Sequence, residues 1–346
     1  MRGEHSFQEI SNQAKSWQAG YQAMLARKEE ALSMVERGAG QGILFMGCGS
    51  THYLAQFSAR YFQRITGLFC QSIPSSEVFL NPDTLLREGQ KPLVVALSRS
   101  GRTSETIKAV QEMRARGSEA LAISCYQDTG LSSASSLTIS IPEAQEESLA
   151  QTRSFGSMLI AVQTLAALAA DNASLLHEIE SLPDQAEELI ARAKPVAKEV
   201  GTNESYKRIS YLGSGALYGL ANEGTIKMKE MSLSVAEAYH FMGFRHGPMS
   251  LLDEQHLIVG LVSESTRNYE VAVLQDLRDR GAAVAVVANE DGGLSQEFDA
   301  VFALTSPSPE EARGALYLPL LQLMAYYRAM GRNLNPDRPR TVSMAI

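Results

Sequence analysis

An α/β protein built from two copies of one parallel-sheet unit is what this sequence of 346 residues predicts. Short apolar, Val-rich runs such as Leu93–Leu97 alternate with amphipathic stretches, the pattern of a parallel sheet covered on both faces. Several of these runs lead into a loop of Gly, Ser and Thr and then a helix start. The chain also repeats itself: LFMGCGSTHYLA from Leu44 matches SYLGSGALYGLA from Ser210, so that Gly47 pairs with Gly213 and Gly49 with Gly215. LVVALSRS from Leu93 resembles LIVGLVSES from Leu257, and VQEMRARGSEALAI from Val110 resembles VLQDLRDRGAAVAVV from Val273.

In chain order, residues 5–36 read as one or two helices. Ser6 with Glu9 has capping-box spacing, and Phe7, Ile10, Ala14, Trp17, Tyr21 and Met24 recur at helical intervals. Gly38, Gly40 and Gly42 break the pattern, and a strand over 43–46 runs into Gly47-Cys48-Gly49-Ser50-Thr51 and a helix from about Tyr53. A strand over 68–73 precedes Pro74-Ser75-Ser76-Glu77; Leu93–Leu97, a hydroxyl-rich loop over 98–104, a helix to Arg116 and the strand Ala120–Ser124 follow. The apolar stretches around 158–170 and 316–329 read as buried helices. A charged segment over 181–198, holding Pro183 and Pro195, reads as the join between the copies. The expected division is an arm over 1–37, a first domain over 38–180, a second over 199–335 and a tail over 336–346.

Composition narrows the function. With 45% hydrophobic residues the chain has enough apolar surface for two cores. A net charge of −8 argues against a nucleic-acid partner, because binding a phosphate backbone needs a basic surface. A pocket for a small phosphorylated molecule is still compatible with an acidic protein. The longest apolar stretches are too short and too interrupted to span a bilayer, no signal peptide is visible, and Cys48, Cys70 and Cys125 suit reduced thiols in the cytoplasm.

The stretch from Ser98 to Thr103 places hydroxyls and Gly101 between a strand and a helix start, where unpaired N–H groups and the helix dipole favour an anion. It reads either as a phosphate cradle or as a capped helix, since neither P-loop nor dinucleotide spacing is present. The second copy has Ser263-Glu264-Ser265-Thr266-Arg267-Asn268 there, with a carboxylate and no glycine, so one phosphate site per chain is expected. Glu223, Lys227 and Glu230 fall on one helical face, as a solvated ladder or as an acid–base group at a cleft wall. His246 lies in a loop closed by Gly247-Pro248, His240 reads as structural, and no zinc spacing occurs, so neither metal nor cofactor is expected. Residues 147–155 set hydroxyls and Gln151 at another helix entrance, for capping or for ligand contact.

These motifs together resemble the double-SIS (sugar isomerase) family, in particular amino-sugar-phosphate deaminase/isomerases of the AgaS type and the isomerase half of glucosamine-6-phosphate synthase. The resemblance runs over roughly residues 30–340 and rests above all on Lys227-Met228-Lys229-Glu230, Ala236-Glu237-Ala238-Tyr239 and His246-Gly247-Pro248. It implies two flavodoxin/Rossmann-like three-layer sandwiches. It also implies that Gly49, Ser50, Thr51, Ser98, Ser100 and Thr103 hold the sugar phosphate, with backbone help from Arg99. Gln151 and Thr152 match a loop contacting sugar hydroxyls, although Gln151 stands where the synthase has Ser. Glu230 looks like the base moving a proton between C1 and C2, and Lys227 like the lysine assisting it. His246 is similar to a ring-opening histidine that in the family comes from the partner subunit, which implies a homodimer. Two departures stand out: the chain opens on a short helical arm rather than a glutaminase domain, and after Asn335-Pro336-Asp337-Arg338-Pro339-Arg340 it lacks the synthase's Asn-Leu-x-Lys. Synthesis of glucosamine 6-phosphate from glutamine is therefore disfavoured.

The expected function is a cytoplasmic, dimeric, cofactor-free enzyme that isomerises an open-chain hexosamine 6-phosphate and releases ammonia. Plain phosphosugar isomerisation, deglycation of a sugar-phosphate–amino-acid adduct, or non-catalytic sensing of a sugar phosphate are the alternatives.

Overall fold

The structure, a computed structural model, describes residues 1–87 and 89–340. Thr341, Val342 and Ser343 of the expected tail lie outside the described residues. Two compact units divide the described residues: one comprises Asn12–Glu146 and Gln151–Pro183, the other Met1–Ser11, Glu147–Ala150 and residues 184–340.

Helices α1 (Glu4–Ser11), α2 (Gln13–Leu25) and α3 (Lys28–Gly38) open the chain, three where the spacing had suggested one or two. In the first unit, β1 (Ile43–Gly47), α4 (Ser50–Thr66), β2 (Cys70–Pro74), α5 (Ser75–Leu80), α6 (Pro82–Leu85), β3 (Leu93–Leu97), α7 (Ser104–Ala115), β4 (Ala120–Ser124), α8 (Gly130–Ala134), β5 (Leu137–Ser140) and α9 (Arg153–Ala169) follow. The strands are parallel in the order β2-β1-β3-β4-β5. All residues of β1, β3 and β4 are buried, as an apolar run covered on both faces requires. Leu44, Met46, Val94 and Ala96 meet Ala109, Val110 and Met113 of α7, each buried Leu, Met or Val side chain contributing about 1.5–3 kcal/mol.

After α10 (Ala173–Thr202) the second unit repeats the plan with β6 (Arg208–Gly213), α11 (Leu217–Ser232), β7 (Val235–Tyr239), α12 (Phe241–Phe244), β8 (His256–Leu261), α13 (Arg267–Asp279), β9 (Ala283–Ala288), β10 (Ala300–Ala303) and α14 (Leu318–Gly331). Its parallel sheet runs β10-β9-β8-β6-β7, the same strand order read from the other edge. The repeated glycines behave alike. Gly49 and Gly215 have φ of 56° and 55°, a left-handed turn that costs a side-chain-bearing residue strain. A Cβ on Gly47 would lie 2.5 Å from the Thr51 carbonyl, and one on Gly213 2.6 Å from the Leu217 carbonyl, so each glycine lets a helix start close against its strand.

One local expectation gives way to longer-range partners. Ser6 and Glu9 form no capping box, because α1 begins at Glu4 and Ser6 is already helical. The Ser6 N–H and hydroxyl both donate to Asp337 Oδ1 at 2.8 Å, while Glu9 accepts the Glu147 and Ser148 N–H groups and the Ser148 hydroxyl. The segment over 181–198 does hold the boundary between the two units, at Pro183 and Asp184, but as part of the continuous helix α10. Leu175, Ile179, Leu182, Ala186, Leu189, Ala193, Ala197 and Val200 are buried at helical intervals, and that stripe overrides Pro183 and Pro195. No helix among the described residues is long and apolar enough to cross a membrane.

Candidate active site

Strand order alone marks a place for a ligand. In the first unit the chain leaves β1 toward β2 on one side and continues through β3 to β5 on the other, so the carboxyl ends of adjacent β1 and β3 flank a topological switch point. Both expected phosphate loops begin there: Gly47 to Thr51 after β1, and Ser98 to Thr103 after β3.

Their hydroxyls do unequal work. Thr51 Oγ1 accepts the Cys48 N–H at 3.0 Å and donates to the Cys48 carbonyl at 2.9 Å, so it staples its own loop. Ser98 Oγ accepts the Gly101 N–H at 3.2 Å and lies 3.3 Å from Thr103 Oγ1. Ser100 Oγ accepts the Arg102 N–H at 3.2 Å, which leaves the hydroxyl proton to give. Ser50, Ser98, Arg99 and Ser100 are buried, Thr103 half-buried and Gly49 exposed. Cys48, in the first loop, is half-buried, and burial pushes its thiol up against the pull of the Thr106 and Ser75 hydroxyls. It therefore stays a neutral thiol near pH 7.

Sequence reasoning missed one organiser of this region. Glu146, its side chain fully buried, accepts the Thr152 N–H (2.6 Å) and hydroxyl (2.9 Å), the Ser154 N–H (3.1 Å) and hydroxyl (2.6 Å), and Arg99 Nη1 at 3.3 Å. Thr152 is the residue before α9 and Ser154 lies in its first turn, so a carboxylate from outside the helix caps it. In one dimension Gln145-Glu146-Glu147 suggests a solvated polar turn; only the hydroxyls six and eight residues beyond Glu146 hinted otherwise. Beside this cap, Gln151 Oε1 is buried with no hydrogen-bond partner among the described residues.

The second unit carries the acid–base candidates on α11. Lys227 is wholly buried, its Nζ 2.7 Å from Glu230 Oε2 and 3.4 Å from Glu223 Oε1. Glu223 is buried as well, whereas the Glu230 side chain keeps 20% of its surface exposed. The triplet is thus no solvated ladder: a buried ammonium is bracketed by two carboxylates, and Glu230 is the one with access to solvent. His246 is not brought to them within this unit. It is exposed between α12 and Gly247, and its side chain makes no hydrogen bond or ion pair among the described residues. His240 stacks on Tyr218 with ring centroids 3.9 Å apart.

The second unit's counterpart of the phosphate loop is filled from within. Glu270, fully buried on α13, accepts the Ser263 N–H and the Thr266 hydroxyl, each at 2.8 Å. Glu264, expected to repel a phosphate, is instead paired with Arg313 at 2.6 Å. Glu105 stands seven residues after Ser98 as Glu270 does after Ser263, but it accepts from Ser104.

Two parallel sheets of one strand order, with hydroxyl loops at a switch point, define a tandem sugar-isomerase-type chain, and the SIS domain family model matches residues 39–168 and 204–330. The chain belongs to the SIS domain family. It is 29% identical over 261 residues to glutamine–fructose-6-phosphate aminotransferase (isomerizing) of Pyrobaculum aerophilum, a match covering 73% of this chain and 43% of that protein. The enzyme of the same name from Escherichia coli is 26% identical over 329 residues, covering 92% of this chain and 52% of the relative. The chain thus spans about half the length of these curated relatives. Among solved structures it is similar to tagatose-6-phosphate ketose/aldose isomerase from Escherichia coli, with a TM-score of 0.88, 24% identity and coverage of 98% of this chain and 96% of that one. Glucosamine-6-phosphate deaminase from Thermotoga maritima gives a TM-score of 0.77 at 24% identity, covering 95% and 99%. These structural likenesses carry the fold.

Proposed function

We propose that this chain is a phosphosugar isomerase acting on an open-chain hexosamine 6-phosphate and releasing ammonia. The observation that carries the reading is the buried Lys227 held between Glu223 and Glu230, with only Glu230 reaching outward. A cation 2.7 Å away complements the carboxylate form that a base requires, and partial solvent access lets Glu230 exchange a proton with a substrate. In the proposed reaction Glu230 takes the proton from C2 of the open-chain amino sugar, giving an enolamine. The proton returns at C1, leaving an imine at C2; water adds there and ammonia departs, so amino-sugar phosphate and water become ketose phosphate and ammonia.

Ser98, Ser100 and Thr103, with the backbone at Gly49, Ser50 and Arg99, would hold the phosphate, and Gln151 and Thr152 would meet the sugar. The donors left by Ser100 and the unpaired Gln151 Oε1 support that division. Thr51 serves by shaping its loop. A homodimer in which His246 opens the sugar ring of the neighbouring subunit's substrate belongs to the same proposal, as does a cytoplasmic location. The similarity to isomerising aminotransferases supports the isomerase part of the reading.

The test is a coupled ammonia assay on glucosamine 6-phosphate and galactosamine 6-phosphate, with NMR of the products. Glu230→Gln is expected to lower kcat by about 10²–10⁴-fold while sugar-phosphate binding survives. Ketose without ammonia would reduce the function to plain isomerisation, and binding without turnover by the wild type would replace the enzyme with a sensor.

A further inference from the structure

We propose that Glu146 is a positioning residue that sets the α9 entrance against the phosphate loop, so that Gln151 presents its unpaired Oε1 to a donor on the sugar; this rests on the phosphosugar reading above. Five donor contacts converge on the one carboxylate. Four come from Thr152 and Ser154 at the start of α9, and the fifth from the Arg99 guanidinium in the loop after β3. Glu146 therefore spans the two segments that would hold opposite ends of the substrate.

Two features separate this role from plain helix capping. Arg99 Nη1 reaches Glu146 at 3.3 Å, the two side chains sharing near-complete burial, so the carboxylate ties the loop after β3 to the α9 entrance instead of serving the helix alone. The Arg99 carbonyl, meanwhile, is held separately by the Cys125 N–H at 3.0 Å and the Ser124 hydroxyl at 3.2 Å. The backbone of the phosphate loop is thus anchored to the sheet without Glu146, whereas the segment at Gln151 and Thr152 leans on it. Glu146 consequently governs the sugar end and not the phosphate end.

That asymmetry is measurable. Glu146→Gln keeps the side chain's shape but turns one acceptor into an NH2 group, which must face either the Thr152 donors and the Ser154 N–H or the Ser154 hydroxyl and Arg99. The expected result is a KM for the sugar phosphate raised at least about tenfold, with kcat within about threefold, because the lost contact serves ground and transition states alike. The inhibition constant of inorganic phosphate should stay within about twofold. Because the effect passes through Gln151, the double variant with Gln151→Ala should be no worse than the poorer single one. Ser154→Ala, which removes one donor and leaves the carboxylate, should give an intermediate KM and covers the case in which Glu146→Gln does not fold. An unchanged KM in a folded variant, a parallel loss of phosphate inhibition, or additive effects with Gln151→Ala would each overturn the proposal. If the wild type turns over no sugar phosphate, the functional reading falls by itself, and the same contrast is read as Kd by calorimetry with sugar phosphate and inorganic phosphate.

Discussion

Replacing Lys227 with methionine tests the electrostatic account of α11 without relying on any assay of turnover. The side chain is wholly buried, as is Glu223 at 3.4 Å. At that separation the attraction is about 5 kcal/mol for an effective dielectric near 20, before the desolvation of both charges is set against it. Methionine fills similar volume and leaves Glu223 without this counter-charge, and breaking a buried pair in this way typically costs about 3–5 kcal/mol. For a unit of this size that corresponds to a fall in its unfolding temperature of about 6–20 °C. Hydrogen exchange of the β6 and α11 amides at pH 8 reads the unfolding of this unit by itself. The double variant Glu223→Gln/Lys227→Met, which removes the buried charge together with the cation, should regain at least half of the loss. A loss under about 1 kcal/mol at pH 8, or a double variant no better than the single, would refute the bracketed-cation argument.

Two further outcomes follow from the repeat and from a buried histidine. Gly47→Ala and Gly213→Ala put a methyl group 2.5 Å and 2.6 Å from backbone carbonyls, and each should destabilise by about 1–3 kcal/mol in urea titrations. Only Gly47→Ala should also weaken inorganic-phosphate binding; weakening by Gly213→Ala alone would reverse the assignment of the ligand loop. His256 is buried, 2.9 Å from Ser210 Oγ, and burial, aided by Arg208, lowers its pKa below the usual value near 6.5. The unfolded chain then takes up a proton before the folded one, so stability falls as pH drops below about 6.5, by at most about 1.4 kcal/mol per pH unit from this group. His256→Gln should flatten the stability profile between pH 7 and pH 5, and an unchanged slope there would count against it.

How much of this was legible in one dimension depended on the range of the forces involved. Strands such as Leu93–Leu97 and Ala120–Ser124 were visible because burial on both faces writes itself as a continuous apolar run. The repeat was visible because the tight turn at Gly49 and Gly215 admits few other residues. Spacing also placed Glu223, Lys227 and Glu230 on one face, although it could not say whether that face was wet. What stayed hidden were carboxylates whose donors come from elsewhere in the chain, among them Glu9 reaching Ser148, Asp337 reaching Ser6, and Glu146 reaching Arg99. A local rule assigned Ser6 to Glu9; the join over 181–198 was legible from its charges and from Pro183 and Pro195, but its helical form was not. A buried stripe from Leu175 to Val200 keeps that join helical.

Glu270 gives the two halves of the molecule different dependence on their surroundings. By lodging its own carboxylate among Ser263 and Thr266, the carboxy-terminal half comes off the ribosome already carrying the anion its loop geometry calls for. In the amino-terminal half Glu105 turns aside to Ser104 and does not enter its loop in that way. On the function proposed above, a phosphorylated sugar would supply that anion, so ligand binding should stiffen the amino-terminal loops and leave the carboxy-terminal loop, braced from within, unchanged.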